Sequence, residues 1–172
     1  MTDIVTCYHE AGHAVAAYLL GGDVDSLSLG GEADEFLPRR MGECRIAWPN
    51  DGSAALRNLS ISDHRFRELL TLLAGGVAEQ IYEDDPSSLL GAVDDLRRAE
   101  RLAIEIVSSR MGGAMDVSAA VQSLLRAAAG QLHDVLSRPR VWPAVAAIAD
   151  ELDAHEELQR DQIDPILEFW LR

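Results

Sequence analysis

The sequence contains no lysine: its 15 basic residues are all arginine, set against 29 acidic ones. The resulting net charge of −14 argues against nucleic acid or anionic lipid as a partner of the general surface. A helical DNA-binding module is disfavoured on the same ground. Without lysine there is no Gly-x-x-x-x-Gly-Lys-Ser/Thr phosphate loop either, so intrinsic ATP dependence is not expected. No apolar run approaches the length of a membrane span. A basic region followed by an apolar one is missing at the N-terminus, so neither membrane insertion nor a signal peptide is expected. Two cysteines, Cys7 and Cys44, are too few for a disulfide framework. They read as buried free thiols rather than ligands, in keeping with a reducing cytoplasm. No internal repeat, low-complexity tract or long linker divides the 172 residues, which suffice for one domain with a real core.

What the sequence does hold is Tyr8-His9-Glu10-Ala11-Gly12-His13-Ala14. A helix turns once in 3.6 residues, so His9 and His13 share a face and can bind one metal ion. Glu10 then lies beside the metal, where a carboxylate can take a proton from water held there. A surface helix with two unrelated histidines is the alternative. Chance alone would produce the pattern in about one such sequence in a hundred, which weighs against it. Gly12 costs its helix about 1 kcal/mol relative to alanine, which points to close packing against the metal side.

The coarse organisation follows from periodicity. A helix over 4–20 has Thr2 or Asp3 as cap and Gly21-Gly22 as its end. Segments 24–29 and 42–48 alternate apolar with polar and read as two strands of a small sheet beside the metal helix, with no third strand evident. Between them 32–40 reads as a loop, and Pro49-Asn50-Asp51-Gly52 as a turn. Ser62 caps a second helix carrying Phe66, Leu69, Leu70, Leu73, Val77 and Ile81; Gly75-Gly76 interrupts it, a pair suited to close packing against another helix. A loop over 84–88 precedes a third helix over 93–109, which Met111-Gly112-Gly113 ends. Asp116 caps a helix to about 137, and Arg138-Pro139-Arg140 breaks it. A helix over 142–158 follows, with Pro143 in its first turn, and Asp161 with Asp164 opens a final one. Leu158, Ile163, Ile166 and Trp170 fit either the core or a partner-binding stripe. The expected fold is mainly α with a small β-sheet.

A catalytic zinc site needs a third protein ligand and an open position. In the third helix Asp95 shares a stripe with Ala99, Leu102 and Ile106, whereas Asp94 falls with Arg98, Arg101 and Glu105 on the solvated side. An inward carboxylate needs a cation or donors. Asp95 is therefore a candidate ligand, with a helix-capping role as the open alternative. Glu79 falls near the apolar side of the second helix. It reads either as an exposed helical glutamate or as a hydrogen-bond partner that orients a ligand histidine. His64, His133 and His155 lack ligand spacing and read as surface residues.

Three blocks carry a resemblance. Tyr8 to Ala14 resembles the zinc-helix motif of the peptidase domain of FtsH-type ATP-dependent zinc metalloproteases. Leu73-Ala74-Gly75-Gly76-Val77-Ala78-Glu79-Gln80 resembles that family's Leu-Ala-Gly-Arg-x-Ala-Glu-Glu block. Gly91-Ala92-Val93-Asp94-Asp95-Leu96 resembles its Gly-Ala-x-Asn-Asp-Leu block. The resemblance spans 1–172 as a single domain, 1–113 forming the zinc-site core and 114–172 the C-terminal helices. It implies a zincin-like helical peptidase fold and Zn²⁺ bound by His9, His13 and Asp95. It also implies that Glu10 is the catalytic residue and that Glu79 orients a ligand. Family substrates lie along a sheet edge beside the zinc, which implies that role for Gly42, Glu43, Cys44, Arg45, Ile46 and Ala47. The family's ATPase module and membrane anchor have no counterpart in these residues, and Gly76, Gln80 and Asp94 depart from its pattern.

The expected function is that of a zinc metalloendopeptidase acting on peptides or unfolded protein through a Glu-activated water at the zinc. A separate ATPase or further copies of the chain are its candidate partners. The alternative is a zinc-holding scaffold that binds peptides or proteins without cleaving them; the presence of Glu10 favours the enzyme.

Overall fold

The computed structural model describes residues 4–30, 41–49, 64–85, 93–110 and 116–172. These form α1 (Ile4–Leu19), β1 (Asp23–Leu29), β2 (Gly42–Ala47), α2 (His64–Glu83), α3 (Val93–Arg110), α4 (Val117–Leu136), α5 (Trp142–His155), β3 (Glu157–Gln159) and α6 (Arg160–Leu171). The chain is mostly helical with one small antiparallel sheet. The caps assigned to Thr2, Asp3 and Ser62, the loop over 32–40, residues 50–52 of the turn, 86–88 of the next loop and the Met111-Gly112-Gly113 helix end lie outside the described residues.

Helix α1 is apolar on nearly every side and is buried from Thr6 to Leu19, as expected of a central helix. α2, α5 and the sheet pack around it. It closes at Gly21, whose φ of 84° lies in the left-handed region that glycine adopts without a Cβ penalty. Gly22 N–H then donates to the Ala17 carbonyl at 2.8 Å, satisfying one of the helix's last acceptors.

The sheet has the order β2-β1-β3. β1 pairs antiparallel with β2, Leu27 opposite Cys44 and Leu29 opposite Gly42. The register shifts between Val24 and Ser26, so Asp25 is the extra residue of a bulge. That bulge lets Val24 and Leu27 both face the core despite their odd spacing; they are 1% and 0% exposed. Among the described residues β2 has a neighbour on one side only.

Two sequence expectations need correction. A third strand exists: β3 pairs with β1, Leu27 opposite Leu158. The helix expected to reach residue 158 stops at His155, because Glu156 turns left-handed at φ 59°. Three residues carry too short an alternation to register as a strand, and their partner lies far back in the chain. Gly75-Gly76, for its part, does not interrupt α2, which runs unbroken through both. Other expectations match the structure. Asp116 caps α4 by accepting from Ser118 and Ala119 N–H at 3.0 and 3.2 Å, and Pro143 sits in the first turn of α5. Leu158 and Ile163 are fully buried core residues, with Ile166 and Trp170 half-buried against them.

Candidate metal centre

The site lies in the seam between α1 and α2, and small residues close that seam. A Cβ on Gly12 would meet the Ala74 carbonyl oxygen and Ala78 Cβ, each at 2.7 Å, so only glycine lets the helix backbones approach this far. A Cβ on Gly75 would lie 2.6 Å from His13 Nε2 and 2.7 Å from His9 Cε1. The surface of α2 is thus cut away where the two imidazoles stand. His9, Glu10 and His13 are 5%, 4% and 6% exposed, and such burial of polar groups demands partners.

Each imidazole is oriented from its far nitrogen. His9 Nδ1–H donates to Glu79 Oε1 at 2.6 Å, and His13 Nδ1–H donates to the Thr71 carbonyl at 2.7 Å. With both Nδ1 atoms engaged as donors, neutral imidazoles present bare lone pairs at Nε2. Those two Nε2 atoms stand 2.9 Å apart, and Asp95 Oδ2 lies 3.1 Å from one and 3.2 Å from the other. Three acceptor atoms facing one another need a positive charge between them. A tetrahedral metal with bonds of about 2.0–2.1 Å sets its ligand atoms about 3.3 Å apart, close to this triangle.

His9, Glu10 and His13 form a buried cluster able to hold a metal ion, with ligand atoms all within 4.8 Å of one another. The His9–His13–Asp95 triangle is the tighter set. Glu10 stands beside that triangle. Burial lowers the His9 pKa, but Asp95 and Glu79 outweigh that and hold it up at about 10. Burial likewise works against ionisation of Asp95, yet hydrogen bonds from His13 and His9 pull its carboxyl well below the usual range. The pocket is built for one cation, proton or metal.

Glu10 lies under the start of β2. A Cβ on Gly42 would overlap its carboxyl group, 2.5 Å from Cδ; the glycine is what lets the strand pass so close. Burial pushes the Glu10 carboxyl above its ordinary value, His13 and His9 draw it back, and Asp95 and Glu43 add to the rise. A carboxylate raised in this way is better matched to proton transfer near neutral pH. Cys44 faces the same space. Burial, reinforced by Glu10, Asp95 and Glu43, pushes its thiol well up. A cleft of about 470 Å³ opens here, bounded by Glu10, His13 and Asp95 on one side and by β2 on the other.

No protein-family model matches the chain, and no curated protein matches it at a significant level. The functional reading therefore rests on the residues themselves. The structure brings His9, His13, Asp95, Glu10 and Glu79 together, and it places Gly42, Cys44 and Ile46 along the cleft. Arg45 and Ala47 are exposed and lie off the cleft lining, whereas Glu43, also exposed, stands at its rim and pairs with Arg45 at 3.2 Å. Asp94 is exposed and pairs with Arg97 at 3.4 Å. His64, His133 and His155 are exposed. Sequence reasoning missed Thr71, because it acts through a backbone carbonyl that any residue carries. It also missed the contact of Gly42 with Glu10, signalled only by a glycine opening a strand. No helix among the described residues is long and apolar enough to cross a membrane.

Proposed function

We propose that the chain is a zinc metalloendopeptidase with a zincin-like fold, related to the FtsH-type peptidase domains that its sequence blocks resemble. One observation carries this reading. Two histidine lone pairs and a carboxylate oxygen converge beside a buried glutamate, next to a strand that among the described residues is paired on one side only. Two imidazoles and one carboxylate with a free position is a donor set typical of catalytic zinc. His9, His13 and Asp95 would hold a zinc ion there, which would supply Lewis acidity toward a scissile carbonyl and a water molecule. Glu10 accepts the proton of the attacking water and returns it to the leaving amine. Glu79 and the Thr71 carbonyl keep both imidazoles in the tautomer that offers Nε2. The open side of β2 offers N–H and C=O groups to an extended peptide. Substrates are therefore flexible or unfolded, and folded proteins would need a separate ATPase to present them. Neither Cys7 nor Cys44 forms a disulfide among the described residues, which suits a reducing cytoplasm.

The test is metal content together with casein turnover, on wild type and Glu10→Gln, with a chelator control. We expect one zinc per chain in both proteins. Turnover should need no ATP and should fall about 10²- to 10⁴-fold in the variant. Equal turnover in the two proteins would sink the assignment of Glu10. Zinc binding with no turnover in either would favour a scaffold that holds peptides without cutting them.

A further inference from the structure

The cleft extends past the residues that the chemistry needs. From Glu10 and Gly42 it follows β2 to Ile46 and Trp48, with Leu72 and His64 opposite. Strands rise about 3.3 Å per residue, so Ile46 stands about 13 Å along from Gly42. Gly42, Cys44 and Ile46 turn the same way, by the alternating burial of the strand. The far end sets Ile46, Trp48 and Leu72 beside His64, and it is held in place. The Arg67 guanidinium stacks 5.3 Å from the Trp48 ring centre, and the His64 ring meets the indole edge-on at 5.7 Å. Ile46 and Trp48 also lie over Gly22, where a Cβ would meet them at 3.1 and 3.0 Å. The acids at the rim are matched, Glu68 by Arg98 at 3.6 Å and Glu43 by Arg45 at 3.2 Å.

We propose that this far end is a specificity pocket for a large apolar or aromatic side chain of a polypeptide laid along β2. The pocket reads a residue four positions from the one opposite Gly42. The proposal rests on the β2 reading given above. In an extended peptide every second side chain faces one way. The substrate residue opposite Gly42 lies at the metal centre, the second one on lies opposite Cys44, and the fourth lies opposite Ile46 and beside Trp48. A ring seated there stacks against the indole and leaves water. A charged side chain at that position would lose hydration and find both nearby acids already matched. Substrates are thereby selected by a residue remote from the bond that breaks.

The test uses labelled, unstructured peptides in which one Phe replaces Ala in an otherwise identical Gly/Ser/Ala sequence. Binding is read by fluorescence anisotropy on zinc-loaded Glu10→Gln protein. We expect the Phe peptide to bind about tenfold tighter than its Ala twin, and Trp48→Ala to erase that difference. Should Trp48→Ala fail to fold, Trp48→Gln serves in its place, and the comparison of the two peptides needs neither variant. In wild type, walking the Phe along the peptide should move the cleavage point with it, at a constant spacing of four residues. Equal binding of the Phe and Ala peptides overturns the pocket, whether or not the wild type cleaves anything. Cleavage at no fixed distance from Phe overturns it too. Tighter Phe binding, lost in the Trp48 variant, with no cleavage by wild type would support the pocket and refute the peptidase reading instead.

Discussion

Among the described residues, buried polar side chains lie on one side of this molecule and the buried side chains of the other are apolar. Thr6, His9, Glu10, His13, Thr71 and Glu79 all belong to α1 or α2, whereas the buried side chains of α4, α5 and α6 are all apolar. Among the described residues the α1–α2 seam therefore carries desolvated charge, and its glycines carry the helix penalty. The C-terminal helices supply plain hydrophobic stability: Ile148, Leu152, Ile163 and Leu167 are 0% exposed, each contributing about 1.5–3 kcal/mol by burial. The difference teaches how a small domain keeps a costly site. The seam is held closed by a core that takes no part in its chemistry.

Truncating that core should give the largest change in stability. Leu152→Ala should cost about 2–5 kcal/mol in denaturant unfolding, with metal affinity unchanged in the fraction that remains folded. A matching loss of affinity would show that the two regions are not separable. Gly75→Ala probes the opposite side. Its Cβ would collide with both imidazoles, so we expect a loss of about 1–3 kcal/mol and displaced metal ligands, visible as weakened zinc binding in a chelator competition. Glu79→Gln keeps the shape and removes the charge that orients His9. Metal affinity should fall about 10- to 100-fold, while the urea midpoint of the C-terminal helices stays put.

The smallest effect per step is on pH. In the metal-free protein the His9 pKa is raised from 6.5 to about 10. A folded-state pKa above the unfolded one stabilises fully below about pH 6.5, and that stability is lost as pH rises through about 10. The metal-free protein should thus lose thermal stability over this window. Zinc must displace the same proton, so its affinity should rise about tenfold per pH unit across the window and level off above it. A flat affinity profile would show that His9 is already neutral in the metal-free fold.

Legibility tracked distance along the chain. His9, Glu10 and His13 could be read because helical geometry alone relates them. Asp95 could be singled out by its phase on α3, since an acid on an apolar stripe is conspicuous; that phase could not say which cation it met. Glu79 could be read from α2 alone either as an exposed glutamate or as a partner of a histidine, the role the resemblance implied; the packing of α2 on α1 shows it 2.6 Å from His9. β3 could not be read, because its three residues gain their strand character from β1. Gly75-Gly76 read as an interruption because a glycine pair in a helix has two meanings, a break or a close approach. Only the neighbouring imidazoles decide between them.

The pairing of Leu27 with Leu158 also has a consequence for synthesis. Contacts so distant in sequence form late, and a domain emerging from the ribosome folds from its N-terminal end. All the metal-site residues of α1, α2 and α3 are made before β3 is. Yet β1 stays unpaired on one side until residue 159 has cleared the exit tunnel. The strand framework beside Glu10 is therefore finished only when nearly all of the sequence described here is out. Until then the side of β1 that β3 will cover is an unpaired strand edge, open to pairing with another chain.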